Sequence, residues 1–157
     1  MKFLRIIALA LVTTLAGFGL AQEDAAPDGE LLYMQSCASC HMPDGTGQIQ
    51  DTPALAGHLP HLYNADGGRT YLMNVVMWGL SGEVTVLGDT INRSMPPRFT
   101  LANAELAAIL NFVVTAWGND ALIEGEFEEF TTDELNAVRR QSRDWAMQFR
   151  PEISGDL

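Results

Sequence analysis

Two thiols and an imidazole stand together at Cys37-Ala38-Ser39-Cys40-His41. Thiolates are nucleophiles and soft metal ligands, and imidazole ligates iron, copper or zinc. C-x-x-C-H is the spacing at which two thiols can form thioethers with the haem vinyl groups. The adjacent histidine is then held under the iron as proximal ligand. Two other chemistries fit less well. A redox thiol pair sits just before a helix, whose N-terminus lowers the thiol pKa, whereas here the pair closes an apolar helical pattern. A zinc ribbon needs a second ligand pair, and the chain holds two cysteines in all. The pattern therefore predicts one covalent haem c on Cys37 and Cys40, with His41 on the iron. No thiol is then left for a disulfide.

A ligating histidine donates its second ring N–H to a carbonyl or carboxylate, which sets its tautomer and basicity. Pro53, twelve residues beyond His41, offers the candidate carbonyl, and Leu55 is expected to pack against the haem. The sixth position needs another donor. Ser94-Met95-Pro96-Pro97 is held extended by its prolines, so the Met95 thioether can be aimed at the iron from the side opposite His41. Met34 lies in the attachment helix and Met42 adjoins His41. Met73 and Met77 have a packing role on a helix, and Met147 lies in the tail. His58 and His61 are the imidazole alternatives, giving a bis-His haem. An open sixth site would instead suit a haem peroxidase or a gas-binding haem protein.

The elements that must position these groups can be read in turn. Asp28 is placed to cap a helix over Gly29–Cys40, and Gly29 permits close approach by another helix. Met42-Pro43-Asp44-Gly45-Thr46-Gly47 is turn-rich, and Asp51–Gly57 continues as loop. A helix is expected over Arg69–Trp78, stopped by Gly79. Val84–Leu87 and Thr90-Ile91 suggest a small hairpin turning at Gly88-Asp89. Asn103 is expected to cap a helix over Ala104–Trp117, with Leu106, Leu110, Val113 and Trp117 as its buried stripe. This helix should cross the first near Gly29 and Tyr33. Glu124–Glu129 is an acidic linker, and Thr131-x-x-Glu134 is a capping box. Leu135, Val138, Ser142, Trp145 and Phe149 line one face of a last helix ended by Pro151, expected to pack on the parent domain.

Residues 1–21 read as a secretory signal: Lys2 and Arg5, an apolar run Ile6–Leu20, then Gly19-Leu20-Ala21 before a mature start at Gln22. An uncleaved anchor is the competing reading, weakened by a run that is short for a membrane span. Export to the periplasm suits covalent haem attachment. Cleavage removes two of nine basic residues and leaves seven, all arginine, against twenty acidic ones, a net of about −13. Such a surface repels nucleic acid and anionic lipid and suits redox partners with a basic docking surface. Residues 22–119 form the expected haem domain and 120–157 an acidic linker with a helical extension. The 47% hydrophobic content, with the haem's own apolar surface, supplies the core.

The signature Tyr33-x-x-x-Cys37-x-x-Cys40-His41, Gly45-x-Gly47, Pro53-x-Leu55-x-Gly57, Gly79-x-x-Gly82, Met95-Pro96 and Trp117-Gly118-Asn119 resembles that of small monohaem class I c-type cytochromes. Thr132-Asp133-Glu134-Leu135 followed by Arg139 is similar to an extension in one bacterial branch. The resemblance implies an all-α fold wrapped around one haem, His and Met axial ligands, and transfer of single electrons between respiratory enzymes. The partners implied are a dehydrogenase, a reductase or a terminal oxidase. The chain departs from members that dock through a ring of lysines, since the mature part has none. Arg93 and Arg98 flank Met95, and with Arg69 they are candidates to meet the haem propionates. A free shuttle and a fixed subunit of a dehydrogenase or reductase complex remain open, and the last helix is the feature that separates them.

Overall fold

A computed structural model describes residues 26–141. The expected signal and its cleavage point, and Ser142, Trp145, Phe149 and Pro151 of the tail, lie outside these residues. Two helical segments cross at the centre. In α1 (Gly29–Ser36) the Asp28 carboxylate accepts the Leu31 N–H at 3.0 Å, a side-chain cap. In α5 (Asn103–Thr115) Leu106, Ile109, Leu110, Val113 and Val114 are buried. The contact is close because of Gly29: a Cβ there would lie 2.2 Å from the Ala108 carbonyl oxygen. Tyr33, fully buried, stands edge-on to Trp117 with centroids 5.1 Å apart and tilts against Phe112 at 5.6 Å.

The expected helix over Gly29–Cys40 is broken. Cys37 (φ −127°, ψ −38°) leaves the helical region, so a second short helix, α2 (Ala38–His41), carries the end of the motif. Next come α3 (Leu59–Asn64) and α4 (Gly68–Trp78). The hairpin pairs β1 (Val84–Val86) with β2 (Asp89–Ile91). Its two-residue turn is Leu87-Gly88, one residue earlier than expected, with φ of 50° and 87°. Both central residues of such a turn need positive φ, and the strand twist favours it. The α5 helix also differs from expectation. Asn103 lies inside it, and the Glu105 carboxylate accepts the Ala102 N–H at 2.8 Å at its start. It stops at Thr115, and Trp117 turns to φ 57° within a 3₁₀ segment, Ala116–Leu122.

The extension joins the same core. In α6 (Thr132–Arg139) the Thr131 hydroxyl accepts the Glu134 N–H and the Glu134 carboxylate accepts the Thr131 N–H, a reciprocal cap. Leu135, Val138 and Phe130 are buried in the cluster that holds Tyr33 and Leu110. Met73 and Met77 are also buried there, as filling residues. No helix among the described residues is long and apolar enough to cross a membrane.

Candidate haem site

Cys37, Cys40 and His41 line a cavity bounded by α2, the loop to α3, α4, the hairpin, the Met95 segment and α5. Its lining is dominated by apolar side chains, among them Leu55, Leu72, Val76, Ile109, Leu110 and Val113. His41 ends α2, where its buried ring places Nδ1 3.0 Å from the Pro53 carbonyl oxygen. With that N–H donated, the Nε2 lone pair is free for a metal. Burial disfavours the imidazolium more than the Pro53 carbonyl favours it, so the His41 pKa falls below its ordinary value. Burial and the fixed tautomer together hold the ring in its ligating form. Burial likewise raises the Cys37 thiol, with Arg98 opposing.

Neighbours pin the proximal loop. The Leu55 N–H donates to the Gly45 carbonyl at 2.7 Å, and the Gly47 N–H to the His41 carbonyl at 3.0 Å. Fully buried Asn119 accepts the Gly57 N–H at 2.7 Å and donates to the Leu55 and Val113 carbonyls at 3.3 and 2.8 Å. Asn119 thus staples the Pro53–Gly57 loop to the end of α5. The sequence showed it only as the last residue of a motif, because its partners in that loop lie more than sixty positions away.

Met95 lines the same cavity from an extended segment. Its N–H donates to the Leu80 carbonyl at 2.8 Å, and its carbonyl accepts the Leu80 N–H at 3.2 Å. Gly79 makes this pairing possible: it sits at φ 75°, and a Cβ there would lie 2.3 Å from the Met95 carbonyl oxygen.

Of the arginines expected near propionates, Arg93 lines the cavity and Arg69 and Arg98 do not. Arg69 lies furthest from the expectation. It does not line the cavity: its Nη2 donates to both Glu134 carboxylate oxygens, at 2.9 and 3.0 Å, and to the Glu129 carbonyl at 3.0 Å. It also lies 4.3 Å over the Phe130 ring. A planar fork beside a carboxylate and an aromatic face binds all of them at once, so Arg69 holds the extension. Arg98 donates to the Ser36 carbonyl at 2.9 Å. Arg93 pairs with Asp51, and both line the cavity. His58 also lines it and is buried, with no hydrogen-bond partner for Nδ1. Burial, then His61, lowers its pKa to about 4. His61 is exposed on α3 and does not line the cavity. Among the described residues no group of three or more His, Cys, Asp and Glu could hold a metal ion.

These residues fit a haem: two thiols spaced for its vinyl groups, a metal-ready imidazole, a thioether on the same apolar cavity, and one buried polar atom without a partner. The comparisons agree. The family model for cytochrome c matches residues 26–117. The chain is 39% identical over 125 residues to a cytochrome c-552 of Thermus thermophilus, covering 80% of each protein. A second Thermus thermophilus cytochrome c-552 is 39% identical over 112 residues, 71% of this chain and 84% of that protein. The cytochrome c subunit of the quinone alcohol dehydrogenase from Gluconobacter oxydans is 37% identical over 95 residues, 59% of this chain and 19% of that longer protein. A motif for covalent haem, a helical fold closed around its cavity and a family match across that unit place the chain in the cytochrome c family, as a small class I haem c protein of electron transport.

Proposed function

We propose that this protein is an exported one-electron carrier, not an enzyme, whose haem is ligated by His41 and Met95. The observation that carries the reading is the meeting of Cys37, Cys40, His41 and Met95 on one apolar cavity, with His41 Nδ1 on the Pro53 carbonyl. The bound haem supplies a reversible one-electron change at iron. The chain's own residues do the rest. The Pro53 carbonyl fixes the imidazole tautomer, and the Leu80 pairing holds Met95 against displacement. Leu55, Leu72 and Ile109 exclude water. Held by His41 and Met95, a haem would favour its ferrous form and would have no position left for substrate. Both ligands stand on anchored segments, so little protein movement accompanies the change of charge.

His58 takes the role first considered for Arg69: its free Nδ1 is a donor for a haem carboxylate. Redox proteins are the partners, met through small transient interfaces. The likeness to a dehydrogenase's cytochrome c subunit supports a dehydrogenase as one partner class, and a fixed subunit is the second reading.

The test is Met95→Ala. Ferric wild-type protein should show the weak long-wavelength band of thioether-ligated haem. The variant should lose it, fall in potential, and bind cyanide or carbon monoxide. A variant that kept the band and excluded both ligands would place another residue on the iron.

A further inference from the structure

We propose that Arg139 is a positioning residue for the iron-ligand loop, so that the C-terminal extension governs how readily Met95 leaves the iron. This rests on the reading of Met95 as sixth ligand. The segment from Met95 to Leu101 is held at three points. At its start, Met95 and Leu80 exchange two backbone hydrogen bonds. In the middle, the Arg98 N–H is shared between the Val76 and Met77 carbonyls at 3.1 and 3.2 Å, and its guanidinium reaches Ser36, the residue before Cys37. At its end, the turn closed by the Leu101 N–H on the Arg98 carbonyl is gripped by Arg139. One guanidinium donates to the Phe99 carbonyl at 2.6 Å, the Leu101 carbonyl at 2.9 Å and the Asn103 side chain at 2.6 Å.

The first two grips come from elements that build the haem cavity. The third comes from a helix nearly forty positions later, seated by buried Leu135 and Val138. Between Met95 and this turn stand Pro96 and Pro97. Their rings fix φ and remove two soft torsions. With φ fixed at both positions, less of a displacement of the Met95 backbone is taken up there, and what passes the Arg98 hold loads the Arg98–Leu101 turn. There Arg139 resists it with charge-assisted bonds in a fixed fork, which a lysine cannot reproduce.

The experiment uses full-length, haem-loaded ferric protein. Cyanide binding is followed up to saturation, where departure of Met95 limits the rate. Arg139→Gln should raise that plateau about tenfold, the loss of one to two net hydrogen bonds. Arg139→Lys should fall between. Arg69→Gln loosens the same helix at its Glu134 end without touching the ligand loop. It should stay near the wild-type plateau even where its unfolding stability drops as far. An unchanged plateau in Arg139→Gln overturns the proposal, and so does an equal rise in Arg69→Gln, which would make the effect general loosening. If Arg139→Gln yields no haem-loaded protein, Arg139→Lys carries the same comparison. A wild type lacking the long-wavelength band, or a Met95→Ala variant retaining it, removes the ligand reading itself and is seen before any arginine variant is made.

Discussion

His41 and His58 are both buried on the same cavity, yet their second nitrogens differ. His41 has its Nδ1 committed to the Pro53 carbonyl, while Nδ1 of His58 has no partner. An unsatisfied buried polar atom costs about 1–3 kcal/mol, so His58 is expected to find its partner on the cofactor. If that partner is a carboxylate, His58→Leu should leave the long-wavelength ferric band and the exclusion of carbon monoxide intact, while His58→Gln keeps a donor in place. If His58 were an iron ligand, the Leu variant would bind carbon monoxide, and an optical titration separates the two cases. The motif made the Cys37–His41 group legible, because it lies within five consecutive residues. It could not reveal the orphaned nitrogen of His58. Which atoms remain unpaired depends on elements that meet only in the folded chain.

Among the elements, those specified over a few residues were legible and those specified across the fold were not. Asp28 and the Thr131/Glu134 box cap their helices as their local spacing implies. Asn103 fails as a cap because its side chain is taken by Asn136 and Arg139, while Glu105 does the capping. Nor does local sequence show where Arg69 goes, its partner Glu134 lying 65 positions away. Gly29→Ala should push α1 off the Ala108 carbonyl and cost about 1–3 kcal/mol by overpacking, read by chemical denaturation. Burial raises the Glu134 carboxyl, but the Arg69 fork and the Thr131 donors outweigh it and hold its pKa below the ordinary 4.5. Since the unfolded form protonates first on acidification, the pair's contribution is complete above about pH 4.5 and is lost as pH falls through the lower folded value. The difference in unfolding stability between wild type and Glu134→Gln should therefore be constant above that pH and shrink below it.

At the scale of the molecule, most of the positive charge among the described residues is tied to carboxylates and backbone carbonyls. Arg69 is paired with Glu134 and Arg93 with Asp51, Arg98 is spread over the Ser36 carbonyl, and Arg139 over two carbonyls and an amide. Four of the chain's eight arginines thus have partners within the fold, and the full sequence carries a formal charge of −11. Glu124, Glu126, Glu128 and Glu129 stand exposed on the extension with no arginine fork closing on their carboxylates among the described residues. A net negative charge of that size raises the encounter rate with a basic partner. Its reach is set by screening, about 8–10 Å at ordinary ionic strength. The bimolecular rate of electron transfer to such a partner should therefore fall steadily as salt is added, while the unimolecular step within the docked pair stays constant. Stopped-flow mixing with a basic acceptor at several ionic strengths measures both. A bimolecular rate independent of salt would mean that the acidic surface serves solubility alone, and that docking uses an uncharged patch or a permanent complex.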